Sequence, residues 1–288
     1  MLELTLNAIL SGILIAGYYC AITLGLTIAF GMLDIANLAH PAFVALGGYA
    51  AYLCNKQFGI DPILAGLLTA PIFYFLGILL YKAYYFSFAK RGTESLRAIV
   101  FFFAVILLIE VGLIMTFGVD LQLVRPGWQA RVFNIGFVGI PMRYLVPFLV
   151  GIAMTGLLFL FFNRTFFGRM IRAVAQDSIA VSLMGAKPER IRTVAFGIAI
   201  ASAGMAGSLL ITIIPVEPSL GVQFIGRVFA ITVLGGVGSI VGTLVAAVIV
   251  GVSETMTATF VGPSWTLGVS FGLLLIVLIV KPSGLFRR

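Results

Sequence analysis

The sequence has 288 residues, of which 61% are hydrophobic and only 10% are charged, and its mean hydropathy is +1.17. Soluble proteins carry about 25% charged residues, so this composition excludes a soluble fold and indicates a polytopic membrane protein. The net charge of +8 does not indicate a nucleic-acid partner, because the basic residues form short clusters between apolar runs, as membrane topology requires.

The first predicted transmembrane span covers residues 4–30. At about 1.5 Å per residue it is longer than a hydrocarbon core of about 30 Å. No Lys or Arg precedes Lys56, so the segment lacks the basic start of a secretory signal peptide. This absence also favours an N-terminus outside the membrane.

Residues 31–54 combine an apolar run with Asp34, Asn37, His40 and Pro41. We expect a broken helix that restarts at Pro41 after a polar elbow. Non-helical backbone at membrane depth must be satisfied by protein or by a water-filled cavity, so the three polar residues are candidates for lining a substrate path. An ordinary short loop at the cytoplasmic surface fits the same pattern, and both interpretations stay open.

Two further spans are predicted at residues 62–81 and 95–117, with a basic loop between them. The second of these spans carries Glu110. An ionisable residue inside a span is a functional candidate that usually faces the bundle interior. A neutral Glu110 bonded to a neighbouring helix is the alternative. Residues 118–142 follow as an external loop, anchored at the membrane interface by Trp128.

The fifth predicted span, residues 144–162, leads into a polar and basic segment at residues 164–192. Within it, Asp177 suits a helix N-cap, Gly185 suits the position after a helix end, and Pro188 suits the first turn of the next helix. We therefore expect a short helix of about two turns between Asp177 and Gly185. A helix of this length is stable only when it docks against something else.

The sixth span, residues 193–214, is rich in small residues that allow close helix packing. Residues 217–227 are expected to form a short external loop. Residues 228–256 are long enough for more than one crossing and are interrupted by GGVGSIVG at 235–242. No strand or ribose-binding acid supports a dinucleotide site there, so we expect a re-entrant segment with a tight turn. The structural glycines of this turn are Gly235, Gly236, Gly238 and Gly242.

The last predicted span covers residues 265–280. Placing residues 82–97, residues 164–192 and the C-terminus inside collects 4, 6 and 3 basic residues, 13 of the 18 Lys and Arg. The N-terminus is then outside and the C-terminus cytoplasmic, with Arg227 among the external residues. The predicted fold is an all-α membrane protein of about eight transmembrane helices with broken or re-entrant segments, and a count of nine stays open.

Three stretches in the right order resemble the LivH-type inner-membrane permeases of ABC importers for branched-chain amino acids. Residues 25–52 are similar to that family's N-terminal signature, and residues 168–207 to its cytoplasmic coupling region and the span that follows. Residues 233–254, together with IVKPSGLF at 279–286, resemble its C-terminal part. The resemblance implies a single transmembrane permease domain over residues 1–288.

In such transporters a short cytoplasmic helix seats in a groove on the ATPase and passes ATP-driven closure to the spans. The resemblance therefore implies a cytoplasmic coupling loop at residues 164–192. A solvated loop whose charges only set the topology is the alternative. The residues that match the family's loop pattern are Arg172, Ala175, Asp177, Ala180 and Gly185.

The resemblance also implies the partners and the location. These are a second homologous permease subunit, two cytoplasmic ABC ATPases and an external solute-binding protein, assembled in a bacterial inner membrane. The chain lacks the GxxxxGK[ST] motif, so it is not itself an ATPase, and ATP would be used by the partner subunits. Cys20 and Cys54 lack metal-ligand spacing, so neither a metal nor a cofactor is expected on this chain.

The expected function is the import of branched-chain amino acids by alternating access, with Asn37, His40 and Glu110 lining the path between two permeases. Pro41 and Ala186 depart from the family pattern. Urea, short amides and other amino acids therefore stay open as cargo. An ion-coupled secondary transporter is the alternative of a different class. It would have to use membrane-embedded carboxyl groups as ion carriers.

Overall fold

The protein folds as a bundle of α-helices joined mostly by short turns. The structure is a computed structural model that describes residues 1–33, 35–88, 95–135 and 138–286. Asp34, one of the candidate path residues, lies outside these ranges. The helices are α1 (Leu2–Leu33), α2 (His40–Phe58), α3 (Pro62–Ser87), α4 (Ser95–Phe117), α5 (Met142–Arg164), α6 (Phe166–Gln176), α7 (Ser178–Leu183), α8 (Pro188–Ile213), α9 (Leu220–Gly235), α10 (Ile240–Phe260) and α11 (Thr266–Val280). An antiparallel hairpin, β1 (Val132–Ile135) and β2 (Val138–Pro141), precedes α5.

Seven helical segments of the described chain are long and apolar enough to cross a membrane. They are α1, α3, α4, α5, α8, α10, and α11 together with the 3-10 turn that precedes it. The predicted all-helical polytopic architecture is thereby confirmed at this coarser level. The 16 residues of α9 reach only about 24 Å, less than a hydrocarbon core of about 30 Å.

The predicted break after the first span is present. Helix α1 ends at Leu33, and α2 begins at His40 with Pro41 in its first turn. Proline suits this position because its missing N–H would have no partner in the first turn of a helix.

The predicted external loop at residues 217–227 is wrong, because α9 already begins at Leu220. Its polar residues suggested a loop, but they have partners in the folded chain. Gln223 donates a hydrogen bond to the Ser219 hydroxyl at 3.1 Å. Arg227, assigned above to the exterior, forms a salt bridge with Glu254 of α10.

Helices α1 and α8 form the centre of the bundle. Helix α1 packs against α5, α8 and α10, while α8 packs against α2 and α3 as well. Small residues allow these contacts. A Cβ atom on Gly207 of α8 would lie 2.0 Å from the carbonyl oxygen of Val44 of α2, so the two backbones touch there. In lipid, where burial of apolar surface does not drive helices together, such close packing is a main source of association.

Large apolar side chains cover the outer faces of α3, α4, α5 and α11. Examples are Leu68 on α3, Leu108 on α4, Leu157 on α5 and Ile279 on α11, all of them exposed. This pattern is the reverse of a soluble protein, and lipid is the solvent that suits it.

The two ends of the bundle differ in what they carry. We call one the basic end; it holds α6, α7, the start of α8 and residues 281–286. The C-terminal residues belong there because Leu285 N–H donates to the carbonyl of Leu234, near the end of α9, at 2.9 Å. The turn that follows α9 packs against the end of α1, which lies beside α6. The opposite end, called the far end, holds Asp61, whose carboxylate accepts a hydrogen bond from the Trp128 indole at 2.8 Å.

The α2–α8 contact makes a prediction about stability. Replacing Gly207 with Ala should destabilise the fold by about 1–3 kcal/mol, because the new methyl group would overlap backbone that has no room to move. The matched change Gly112→Ala lies on α4 with nothing within 4 Å of the added carbon and should be neutral or slightly stabilising. Thermal unfolding of the purified proteins in detergent would measure both, and equal midpoints would contradict the close contact.

Candidate functional site

Helix α7 at the basic end begins with a side-chain cap. One carboxylate oxygen of Asp177, Oδ1, accepts hydrogen bonds from the N–H groups of Ile179 and Ala180, both at 2.9 Å. These N–H groups have no partner within the helix, so the cap satisfies them. The short helix that the sequence predicts is therefore present, with the expected residue at its start.

The end of α7 is a glycine turn. Gly185 has a φ of +83°, a conformation that favours glycine because it has no Cβ. Its N–H donates to the Ser182 carbonyl at 3.0 Å, and Ala186 N–H donates to the Val181 carbonyl at 3.3 Å. This pair of bonds is the Schellman pattern. The chain then enters α8, with Pro188 in the first turn.

Three apolar side chains of α7 and its C-cap are exposed, while Val181 packs against the core. Ile179 is 70% exposed, Leu183 84% and Met184 86%. Six residues are too few for an independently stable helix, and an exposed apolar patch on a polar surface marks an interaction site. Ala180 is exposed beside them and leaves room for close approach.

The other two residues of the predicted coupling pattern lie on α6. Arg172 donates from Nη1 to the side-chain oxygen of Asn163 at 2.8 Å, which ties α6 to the end of α5. Ala175 lines a cavity of about 330 Å³ together with residues 30–33 of α1, Arg192 of α8 and Val237. This cavity places Ala175 next to the end of the central helix α1.

Of the predicted path residues, Asn37 and His40 are fully buried at the break between α1 and α2. His40 donates from Nε2 to the carbonyl oxygen of Ile22 at 2.7 Å, and its ring lies against Gly25 of α1. Within the described chain, His40 Nδ1 and both polar atoms of the Asn37 side chain have no hydrogen-bond partner. The structure thus brings these two residues together in the core.

Glu110 is separate from this pair in the chain and lies on α4. It is half-buried and makes no hydrogen bond or salt bridge with any residue that the structure describes. Helix α4 contacts α2 and α9, and its aromatic rings pack on Tyr84 of α3 and Phe196 of α8. The structure therefore neither ties Glu110 to a neighbouring helix nor places it in a polar cluster.

The glycine-rich stretch forms the turn between α9 and α10. Gly236 and Gly238 have φ values of +96° and +88°. A Cβ on Gly242 would lie 2.0 Å from the carbonyl oxygen of Gly235, so the two helices touch where they meet. Gly238 also packs against Gly31 of α1, which brings the turn to the basic end.

A buried polar cluster that was not predicted from the sequence joins four helices. Arg227 of α9 donates from Nε to Glu254 of α10 at 2.9 Å. The Glu254 carboxylate also accepts hydrogen bonds from the hydroxyl groups of Tyr19 of α1 and Ser270 of α11. The side chains of Arg227 and Glu254 are only 15% and 7% exposed.

A sequence signal for this cluster does exist. Ser219, Gln223 and Arg227 are spaced at four-residue intervals, which is the repeat of one helix face. Glu254 stands alone in the apolar segment of α10. One acidic and one basic residue in neighbouring apolar segments suggest a pair, although only the fold shows that they meet.

The chain was compared with known proteins. The model of the family described as branched-chain amino acid transport system, permease component, matches residues 8–278. The high-affinity branched-chain amino acid transport system permease protein LivH of Escherichia coli K12 is 26% identical, over 98% of this chain and 96% of that protein. The permease protein BraD of Pseudomonas aeruginosa, from a transport system of the same description, is 27% identical over 98% of this chain and 96% of that protein. LivM of Escherichia coli K12 is 27% identical over 93% of this chain and 67% of that protein. No solved structure matches.

The cap of α7 can be tested directly. Asp177→Ala removes the acceptor of two N–H groups and should cost about 1 kcal/mol of local stability. Amide hydrogen exchange in α7 should then be roughly fivefold faster. Hydrogen–deuterium exchange of the peptide covering residues 178–186 would measure it. Asp177→Asn keeps a side-chain oxygen and should exchange like the parent protein. Unchanged exchange in the alanine variant would contradict the cap.

Proposed function

Since this chain belongs to the family of branched-chain amino acid transport system permease components, we propose that it is the membrane-spanning permease subunit of an ATP-binding-cassette importer for branched-chain amino acids. The observation that carries the proposal is the extent of the match, which covers residues 8–278 and hence every spanning helix except the ends of the first and the last. The chain is a multi-pass membrane protein that acts in transport.

The cargo follows from the relatives. LivH, LivM and BraD are all named as permease proteins of high-affinity branched-chain amino acid transport systems. The chain is similar to both LivH and LivM of one organism, which supports a transporter built from two related permease subunits. We therefore assign a second, homologous permease as the partner in the membrane.

The motor is a pair of cytoplasmic ATPases, and α7 seats in a groove on one of them. The sequence contains no P-loop, so ATP hydrolysis takes place on partner subunits and this chain is not an enzyme. The exposed Ile179, Leu183 and Met184 supply an apolar surface for the groove of an ATPase. Burial of such a surface would also stabilise a helix that is too short to be stable alone.

Movement of α7 reaches the membrane through α8. Gly185 joins the two helices, and α8 packs against α1, α2, α3 and α5. Helix α6 is tied to α5 through Arg172 and Asn163, so both sides of the coupling region connect to spanning helices. ATP-driven closure of the ATPases would therefore rotate or shift the central helices and switch the open side of the path.

The orientation follows from charge. Basic residues are concentrated at the basic end, which favours the cytoplasmic side. The far end, with residues 118–131 and the hairpin, then faces the exterior, where a solute-binding protein delivers the cargo. The N-terminus lies outside and the membrane is a bacterial inner membrane.

Ala180→Glu tests the seat on the ATPase. Ala180 is exposed, so a larger charged side chain leaves the fold of this chain intact but blocks close approach by a partner. We expect at least a tenfold loss of co-purifying ATPase at unchanged membrane insertion. Ala130→Glu makes the same change at an exposed position of the far end and should keep the ATPases.

The proposed function as a whole is tested by purifying the tagged protein in mild detergent and identifying its partners by mass spectrometry. Two P-loop ATPases and a second permease should be recovered. Leucine uptake by the reconstituted complex should require ATP and the solute-binding protein. Recovery of the chain alone, with uptake that persists without ATPases, would contradict the proposal.

A further inference from the structure

A polar stripe runs along α9 and ends at Arg227. Ser219, Gln223 and Arg227 lie on one face of the helix because they are four residues apart. At the start of the stripe, the carboxylate of Glu217 accepts hydrogen bonds from Ser219 and Gln223. Gln223 is exposed on an otherwise apolar helix. Lipid does not suit an exposed amide, so this face borders water or another subunit.

Arg227 has unused hydrogen-bond donors. It gives Glu254 only its Nε–H, and its two Nη groups make no hydrogen bond to the described part of the chain. The guanidinium carbon lies 5.4 Å from the ring centre of Tyr19 and 5.1 Å from that of Phe224. These rings hold the planar group by cation–π contact while its outer edge stays available.

Glu254, in contrast, is fully occupied. One carboxylate oxygen accepts from Arg227 and Ser270, and the other accepts from Tyr19. The donors lie on three helices, so the carboxylate is fixed in place. It neutralises the arginine and has little capacity left for a ligand.

The cluster lies within the length of its four helices, away from their ends. Arg227 is the eighth of the 16 residues of α9, and Tyr19 is the eighteenth of the 32 residues of α1. A charged residue at such a depth is costly and is usually retained for function. An arginine whose only task is structural would satisfy more of its five donors in so buried a place.

We propose that Arg227 binds the carboxylate of the cargo inside the helix bundle and that Glu254 is its fixed counter-ion. The guanidinium edge matches a carboxylate with two parallel N–H bonds, a geometry that lysine does not reproduce. The polar stripe of α9 is the wall along which the cargo reaches this site. The inference rests on the proposed function and narrows it, because urea and short amides carry no carboxylate.

The test uses the whole reconstituted complex with its ATPases, sister permease and solute-binding protein. Arg227→Gln should lower leucine uptake at least tenfold when it is compared with the parent at equal amounts of assembled complex. Arg227→Lys keeps the positive charge but lacks the two parallel N–H donors of the guanidinium. Its leucine uptake should lie between that of the parent and that of Arg227→Gln. The control is Thr27→Val, which removes a 2.8 Å contact between the hydroxyl groups of Thr27 on α1 and Thr243 on α10 and should leave uptake within twofold.

A binding measurement separates recognition from stability. Leucine should raise the thermal midpoint of the detergent-purified complex without the binding protein, and leucinamide, which lacks the carboxylate, should not. Arg227→Gln should abolish the shift caused by leucine. Equal shifts by leucine and leucinamide would overturn the proposal.

A double variant tests whether the pair is merely structural. Arg227→Met with Glu254→Met replaces the ion pair by apolar groups, a change that is often neutral for stability. We expect it to assemble and yet to lose leucine uptake at least tenfold. Uptake at the parent rate would show that no charge is needed and would overturn the inference. Failure of the parent complex itself to take up leucine would instead refute the proposed function.

Discussion

The close backbone contact of α1 and α8 with their neighbours is the constraint on which the rest of the structure depends. Gly12 of α1 meets Gly251 of α10, and Gly207 of α8 meets Val44 of α2. Apolar side chains gain no free energy by leaving lipid for a helix interface. Van der Waals contact at short range must therefore hold such helices together. Because the central helices are fixed in this way, the short helices α7 and α9 can be positioned against them without being full spans.

This arrangement connects the surface of the basic end to the membrane interior. The exposed helix α7 continues through Gly185 into α8, and the cavity lined by Ala175, Arg192 and the end of α1 lies directly beside this connection. The turn at Gly238 packs on the same end of α1. A displacement of α7 would therefore displace α8, α1 and the α9–α10 turn together. A transporter driven by a separate ATPase subunit requires such a mechanical connection.

Polar and apolar side chains depart in two places from the pattern expected of a membrane protein, which exposes apolar groups to lipid and polar groups to water. Large apolar side chains are exposed on α7 at the basic end of the bundle, while an arginine of α9 and a glutamate of α10 are buried inside it. Each departure costs free energy unless something compensates for it. For α7 the compensation is, in the proposed function, a partner subunit; for Arg227 it is Glu254, two aromatic rings and, by our inference, the cargo.

The sequence alone determined the class of the protein, most of its spans and the caps of α7, because composition, apolar run length and the chemistry of Asp177 and Gly185 act locally. The break before His40 and the glycine turn after α9 were also predictable, since proline and glycine restrict the backbone wherever they stand. The family resemblance, which the comparisons confirmed, rested on the same local signatures.

The tertiary structure decided which polar residues meet. It buried Asn37 and His40 in the core, and it turned Arg227 from an expected loop residue into half of an ion pair with Glu254, 27 residues away. Such pairings depend on how helices pack, and no local pattern encodes the partner of a charge.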